Sequence, residues 1–240
     1  MTESAPAVLF DLDGTLVDTN YAHVLAWFRA FRQERHPVTM VAVHRHVGMG
    51  SDRLLDALAP DRDRRRDDIL TAAHTEHYAG FLGLVQPLPG ARELVREVAR
   101  RGGQVVLATS APADELRALR EALDVDDCLS AVTSSADAET SKPAPDIVQI
   151  ALERSGVDPA DAVMVGDTRW DVLAAARAGI PCVTVLSGGI GRDELREAGA
   201  VALYTGPDDL LAHLDDSPIG RLLRGGAVSA GGRRGTFRSS

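Results

Sequence analysis

Lysine is almost absent from this chain. Among 26 basic residues every one is arginine except Lys142. A compact ammonium does what a planar guanidinium cannot, such as sitting between two anionic groups in a tight pocket, so the lone lysine marks a candidate site. Cysteine is scarce too. Cys128 and Cys182 lie far apart, in no metal-ligand spacing. That argues against a disulfide framework or a thiolate metal site and fits free thiols in a reducing cytoplasm. No apolar run approaches the ~20 residues that cross a bilayer, so no membrane partner is expected. Met1 to Pro6 lack the basic-then-apolar pattern of a secretory signal.

Positive charge is short overall, with a formal net charge of −9. It is also uneven. Beyond Asp216 there are five arginines (Arg221, Arg224, Arg233, Arg234 and Arg238) and no acids. Taking those five from the 26 basic residues leaves 21 against 35 acids over residues 1–216, a net of −14. Such a body lacks the clustered positive charge of a nucleic-acid surface. Residues 215–240, rich in glycine, serine and arginine, read as a disordered basic tail. What the chain does have is 240 residues with 45% apolar content, enough for a sizeable core in one large or two small domains.

Residues 7–12 read as a buried strand. Helical spacing of Val24, Leu25, Trp27, Phe28 and Phe31 predicts a helix over 20–34. Residues 40–47, 52–58 and 67–81 are three further helix candidates, with no strand between them. From Pro87-Leu88-Pro89-Gly90 onward the pattern alternates. Helices are expected at 91–101, 113–123, 144–155, 171–178, 192–198 and 207–214. Strands are expected at 105–108, 131–133, 162–165, 182–186 and 201–204. Such alternation predicts an α/β fold, a doubly wound, Rossmann-like parallel sheet with helices on both faces. The expected division is a core of residues 1–16 and 86–214 with an inserted α-helical cap of residues 17–85.

The stretch Ala7-Val8-Leu9-Phe10-Asp11-Leu12-Asp13-Gly14-Thr15-Leu16 carries the strongest chemical signal. Two carboxylates flank one leucine where a buried strand ends, which is where open α/β sheets bind ligands. Like charges this close cost free energy unless a cation or a reaction uses them. Three other segments border strands. Thr109-Ser110 follows Val105–Ala108. Ser141-Lys142-Pro143-Ala144-Pro145-Asp146 opens a helix, and Gly166-Asp167-Thr168-Arg169-Trp170-Asp171 follows Val163–Val165. Each alone has a plain alternative: Asp13-Gly14 as a turn, Asp167 and Asp171 as helix-start acids, Lys142 as a solvated helix-end residue. Four segments in this order and spacing are another matter. Together they resemble the four motifs of the haloacid dehalogenase-like (HAD) hydrolase superfamily, over residues 7–190.

The resemblance implies phosphoryl transfer. Asp11 would attack phosphorus to give an aspartyl-phosphate, and Asp13 would protonate the leaving alkoxide and then deprotonate water. Mg²⁺ would be held by Asp11, Asp167 and the backbone carbonyl of Asp13. Thr109, Ser110 and Lys142 would hold phosphoryl oxygens, with Lys142 balancing the charge on Asp11. Asp171 would orient Lys142 or the metal, or serve only as a first-turn cap. Asp18 and Thr19 read as local hydrogen bonding at the entry to the cap.

Asp13 also discriminates within the superfamily. Dehalogenases and phosphonate-cleaving relatives have no acid there, since no alkoxide needs a proton. Sugar phosphomutases of the beta-phosphoglucomutase type share both aspartates but usually carry a residue such as Val where Thr15 stands, and a basic group near Ser51. The phosphoglycolate-phosphatase-like branch therefore matches better, with the mutase, a 2-haloacid dehalogenase and a non-catalytic HAD-fold binding module as alternatives. Substrate choice is expected from the cap loop, where Arg45, His46 and Gly48 would meet a second anionic or polar group of a small phosphorylated metabolite. Oligomeric state is not legible.

Overall fold

A computed structural model describes residues 5–225. Six parallel strands form one sheet: β1 (Ala7–Phe10), β2 (Gln104–Ala108), β3 (Leu129–Thr133), β4 (Ala162–Gly166), β5 (Cys182–Val185) and β6 (Ala202–Tyr204). Their order is β3-β2-β1-β4-β5-β6. The chain thus winds outward from β1 in one direction and, from β4, in the other. The crevice between β1 and β4 is the topological switch point, and ligands of doubly wound sheets bind outside the carboxyl ends of strands there. Asp11 directly follows β1 and Asp167 directly follows β4. Phe10 pairs with Val165, and the Asp11 amide donates to the Val165 carbonyl at 2.9 Å.

Four helices lie between β1 and Gln86, where the chain returns to the sheet: α1 (Asn20–Gln33), α2 (Met40–His44), α3 (Ser51–Leu58) and α4 (Asp67–Ala79). They share their own apolar cluster, built from Trp27, Phe31, Val43, Leu54, Leu55 and Leu70 among others. The chain leaves the sheet and returns to it through paired segments. The Asp18 amide donates to the Gln86 carbonyl and the Leu88 amide to the Leu16 carbonyl, both at 2.9 Å. This helical unit is thus inserted on a short two-stranded stem.

Five further helices alternate with strands, α5 (Ala91–Arg100), α6 (Ala113–Leu123), α7 (Asp146–Ser155), α8 (Arg169–Arg177) and α9 (Arg192–Ala198), and two follow β6, α10 (Pro207–Ala212) and α11 (Pro218–Leu223). Side chains on a strand alternate between faces. Val8 and Phe10 join one cluster with Leu94, Leu119 and Leu210, while Ala7 and Leu9 join the other with Ile147, Val148 and Val172. Both faces of the sheet are therefore covered, which is why its strands read as continuous apolar runs.

The expected tail needs correction. Residues 218–223 form α11, capped by Ser217, whose hydroxyl accepts from the Gly220 amide at 3.0 Å. Ile219 and Leu222 are buried in the same cluster as Val8. The arginines of this stretch hid an apolar pair three residues apart. The rest of the expected tail, with Arg233, Arg234 and Arg238, lies outside the described residues. Smaller differences concern ends: β1 stops at Phe10, and α2 stops at His44 rather than at Val47.

Candidate active site

Lys142 is the centre of the site. Its ammonium donates to Asp11 Oδ1 at 2.7 Å and to Asp171 Oδ1 at 2.8 Å, bringing together residues 131 and 29 positions apart. The side chain is 1% exposed. A surface position in an open cleft is thus excluded for Lys142. Burial alone would lower its pKa, but the attraction of Asp11 and Asp171 outweighs this and holds the ammonium charged.

Asp171 is both partner and cap. Its Oδ2 accepts from the Thr168 amide at 3.0 Å and the Thr168 hydroxyl at 2.6 Å, while the hydroxyl accepts from the Asp171 amide at 3.4 Å. This capping box opens α8 and leaves Oδ1 aimed at Lys142. The two readings that the sequence left open for Asp171 are therefore compatible.

Asp167 is held from the cap entry. Thr15 Oγ1 donates to its Oδ1 at 3.0 Å and Asn20 Nδ2 to its Oδ2 at 2.8 Å. Backbone approaches closely here. A Cβ at Gly188 would lie 1.9 Å from Asp167 Oδ2, and one at Gly14, whose φ is +73°, would lie 2.5 Å away. Only glycine fits either position.

Asp11, Asp167 and Asp171 each present an oxygen, and these lie within 4.8 Å of one another. Burial, with repulsion from Asp171 and Asp13 working against the pull of Lys142, pushes Asp11 up to about 7. Burial, then Asp171 and Asp11, pushes Asp167 well above the usual carboxylate range. Three buried carboxylates beside one ammonium are an uncompensated negative cluster, which a divalent cation would relieve. Asp171 accepts three hydrogen bonds, one of them from the Lys142 ammonium. Asp11, with only Oδ1 engaged among the described residues, and Asp167, with one neutral donor on each oxygen, keep lone pairs that can ligate.

Asp13 faces the cap. It accepts from Thr19 Oγ1 at 2.7 Å and from His23 Nε2 at 3.3 Å. The same His23 nitrogen lies 3.3 Å from Glu115 Oε1, on α6. Burial opposes a charge on His23, but Glu115 and Asp13 raise its pKa to about 10. Burial would raise Asp13, yet its hydrogen bond and attraction to His23 outweigh that and hold it below the usual range. His23 Nδ1 lies 3.2 Å from His74 Nε2. Burial and the His23 charge push His74 down to about 2, so His74 is neutral and accepts this hydrogen bond. Tyr78 stacks on His23 at 4.0 Å and Trp27 on His74 at 4.2 Å.

A cavity of about 160 Å³ joins these groups. Asp11, Asp13, Lys142, Ser110 and Gly48 line it. Thr109 lies just behind, fully buried, its hydroxyl accepting from the Ala111 amide at 3.0 Å. Arg45 and His46 do not line the cavity, which corrects the substrate role expected for them. Arg45 caps α2 and is exposed. His46 Nδ1 turns back to the Ala42 carbonyl at 2.8 Å, and its ring lies beside Trp170. Early termination of α2 is the physical reason, because the chain then turns and presents Val47 to Ser51 instead.

Sequence reasoning missed His23, His74, Glu115, Asn20 and the contact of Thr15 with Asp167. A signal existed for the histidines. His23 precedes Trp27 by four residues and His74 precedes Tyr78 by four, so each shares a helix face with a buried aromatic ring.

Comparison with known proteins agrees with this geometry. The family model of the haloacid dehalogenase-like hydrolases matches residues 5–179. A phosphoglycolate phosphatase of Rhodospirillum rubrum is 34% identical over 208 residues, covering 82% of this chain and 86% of that one. A phosphorylated carbohydrates phosphatase of Thermotoga maritima is 30% identical, covering 85% and 96%. The crystal structure of a hydrolase from Pseudomonas syringae superposes with a TM-score of 0.84 at 33% identity, covering 88% and 98%. The chain belongs to the haloacid dehalogenase-like hydrolase family.

Proposed function

We propose that this haloacid dehalogenase-like hydrolase is a Mg²⁺-dependent phosphomonoesterase that cleaves a small phosphorylated metabolite through an aspartyl-phosphate on Asp11. The observation that carries the reading is the Lys142 ammonium between Asp11 and Asp171, beside a second carboxylate, Asp13, that faces the cavity. A phosphatase needs both acids; a dehalogenase needs only the first.

Asp11, Asp167 and the Asp13 carbonyl are the groups that fit Mg²⁺. The cation, when bound, neutralises charge on the phosphoryl oxygens and favours the ionised form of Asp11. The chain's own groups do the rest. Asp11 Oδ1 is fixed by Lys142, which aligns the carboxylate for in-line attack. Lys142 has three N–H donors, and two go to carboxylates. The third supports a phosphoryl oxygen, together with Ser110 and the backbone around Thr109. Asp13 gives its proton to the leaving oxygen as the P–O bond breaks and the Asp11–phosphorus bond forms. A phosphate dianion beside Asp13 favours its protonated form, opposing the effect of His23. Asp13 then takes a proton from the water that attacks phosphorus and frees Asp11. The helical cap covers the reacting groups and excludes bulk water. Two free thiols fit a reducing, cytoplasmic setting, and no helix among the described residues is long and apolar enough to cross a membrane.

Release of alcohol from a generic aryl phosphate tests the reading. Turnover is expected with Mg²⁺, none after chelation with EDTA, and recovery when Mg²⁺ is returned. Ca²⁺ should not restore it, because its longer bonds and higher coordination let a carboxylate bind bidentately, out of line for attack. Undiminished turnover without any divalent ion would overturn the proposal.

A further inference from the structure

The cavity has two ends. Asp11 and Lys142 mark the phosphoryl end, so the opposite wall, mostly from the cap, must meet the leaving group. That wall is apolar at Trp27, Met49 and Leu54, and polar at Thr71, Thr75 and His74. Its one carboxyl group beyond Asp13 is Glu115, whose side chain is 12% exposed.

Positive charge at this wall is already spent. Among the described residues no arginine lines the cavity, although arginine supplies nearly all the basic charge of the chain. Lys142 lies between Asp11 and Asp171. His23 has both ring nitrogens occupied, Nε2 3.3 Å from Asp13 and from Glu115 and Nδ1 3.2 Å from His74. His74 Nε2 is in turn occupied by His23, and Trp27 covers its ring. Arg53, next to Leu54 in sequence, is exposed and lies beside Asp52, and Arg45 caps α2; neither lines the cavity.

A carboxylate on the leaving group would therefore be desolvated against Glu115 with no uncommitted cation to receive it. Such burial is costly. Uncharged hydroxyl groups meet a better partner set. Glu115 accepts hydrogen bonds, and Thr71 and Thr75 both donate and accept. The cavity, at about 160 Å³, is small beside the roughly 300–1,000 Å³ of drug-sized pockets, which suits a compact leaving group. We propose that this pocket selects phosphomonoesters of small uncharged, hydroxylated alcohols and disfavours those whose leaving group carries a carboxylate. The inference rests on the phosphomonoesterase reading and adds a substrate class to it.

The test compares kcat/KM for glycerol 3-phosphate and 3-phosphoglycerate, which differ only in a CH₂OH or a carboxylate at one carbon. Phosphoglycolate is a third substrate and an aryl phosphate the control. Glycerol 3-phosphate is expected to exceed both carboxylated esters by ~10-fold or more, since an unpaired charge in a desolvated wall costs at least that factor. Equal or faster cleavage of either carboxylated ester overturns the inference. So does failure on all three while the aryl phosphate is hydrolysed. Failure on the aryl phosphate itself with Mg²⁺ present would instead sink the phosphomonoesterase reading. Glu115→Gln keeps the size of the side chain and removes its charge. Within that variant the ratio of the two three-carbon esters is expected to narrow by severalfold. A ratio unchanged from the parent chain would take the selection away from Glu115.

Discussion

The core half and the cap half of this site are held by different forces. On the core side, Asp11, Asp167, Asp171 and Lys142 are almost wholly buried and joined by hydrogen bonds of 2.6–3.0 Å to Thr15, Asn20, Thr168 and one another. On the cap side, rings stack, Tyr78 on His23 and Trp27 on His74, and the hydrogen bonds of His23 are longer, at 3.2–3.3 Å. A buried, hydrogen-bonded charged network is rigid and intolerant, because losing one member leaves another buried and unpaired. A packed apolar wall adapts more readily to a change of shape. The difference teaches which half is fitted for chemistry and which for selection: the phosphoryl group meets fixed charges, and the leaving group meets a surface.

Substitutions in each half sharpen that contrast. The largest effect is expected from Lys142→Arg. The guanidinium keeps the charge but is wider than the ammonium it replaces, in a site 1% exposed. kcat should fall by ~10²–10³-fold, the scale for losing one well-placed donor to developing charge. Overpacking should also cost about 1–3 kcal/mol of stability, read as a lower Tm on the same preparation. Near-normal kcat would make the lone lysine an accident of composition. A much smaller effect is expected from Met49→Ala in the cap wall. It removes apolar contact worth about 1 kcal/mol, so KM should rise about fivefold. kcat for an aryl phosphate should stay within about twofold. A large loss of kcat with unchanged KM would erase the division between the halves.

The same contrast explains what could be read in the sequence. Asp11, Asp13 and Asp167 stand in short motifs at strand ends and Lys142 in one that opens α7, where topology leaves one place for them to meet. The alternation of apolar runs with amphipathic segments made the sheet, its helices and the inserted helical block legible for the same local reason. Cap contacts depend on how separate helices pack, which no local pattern encodes. Arg45 and His46 sit beside the cavity in sequence but turn away, because α2 stops at His44. Glu115 looks like any first-turn acid of α6, and its partner is 92 positions away in the cap. Arginine-rich composition beyond Asp216 concealed Ile219 and Leu222, whose burial makes α11 part of the core.

Trapping the covalent intermediate tests the central claim most directly. An aryl leaving group is a weak base and needs no proton from Asp13, whereas the attacking water in the second half-reaction does need a base. In Asp13→Asn the first half-reaction should therefore outlast the second. After mixing with an aryl phosphate and Mg²⁺ and quenching in acid, about one aryl alcohol per chain should be released in a burst. Mass spectrometry of the digested protein should then find a phosphoryl group on the peptide that carries Asp11, and hydroxylamine should remove it as it does acyl phosphates. A burst with no phosphoryl group on that peptide, or with the group on another residue, would contradict the account.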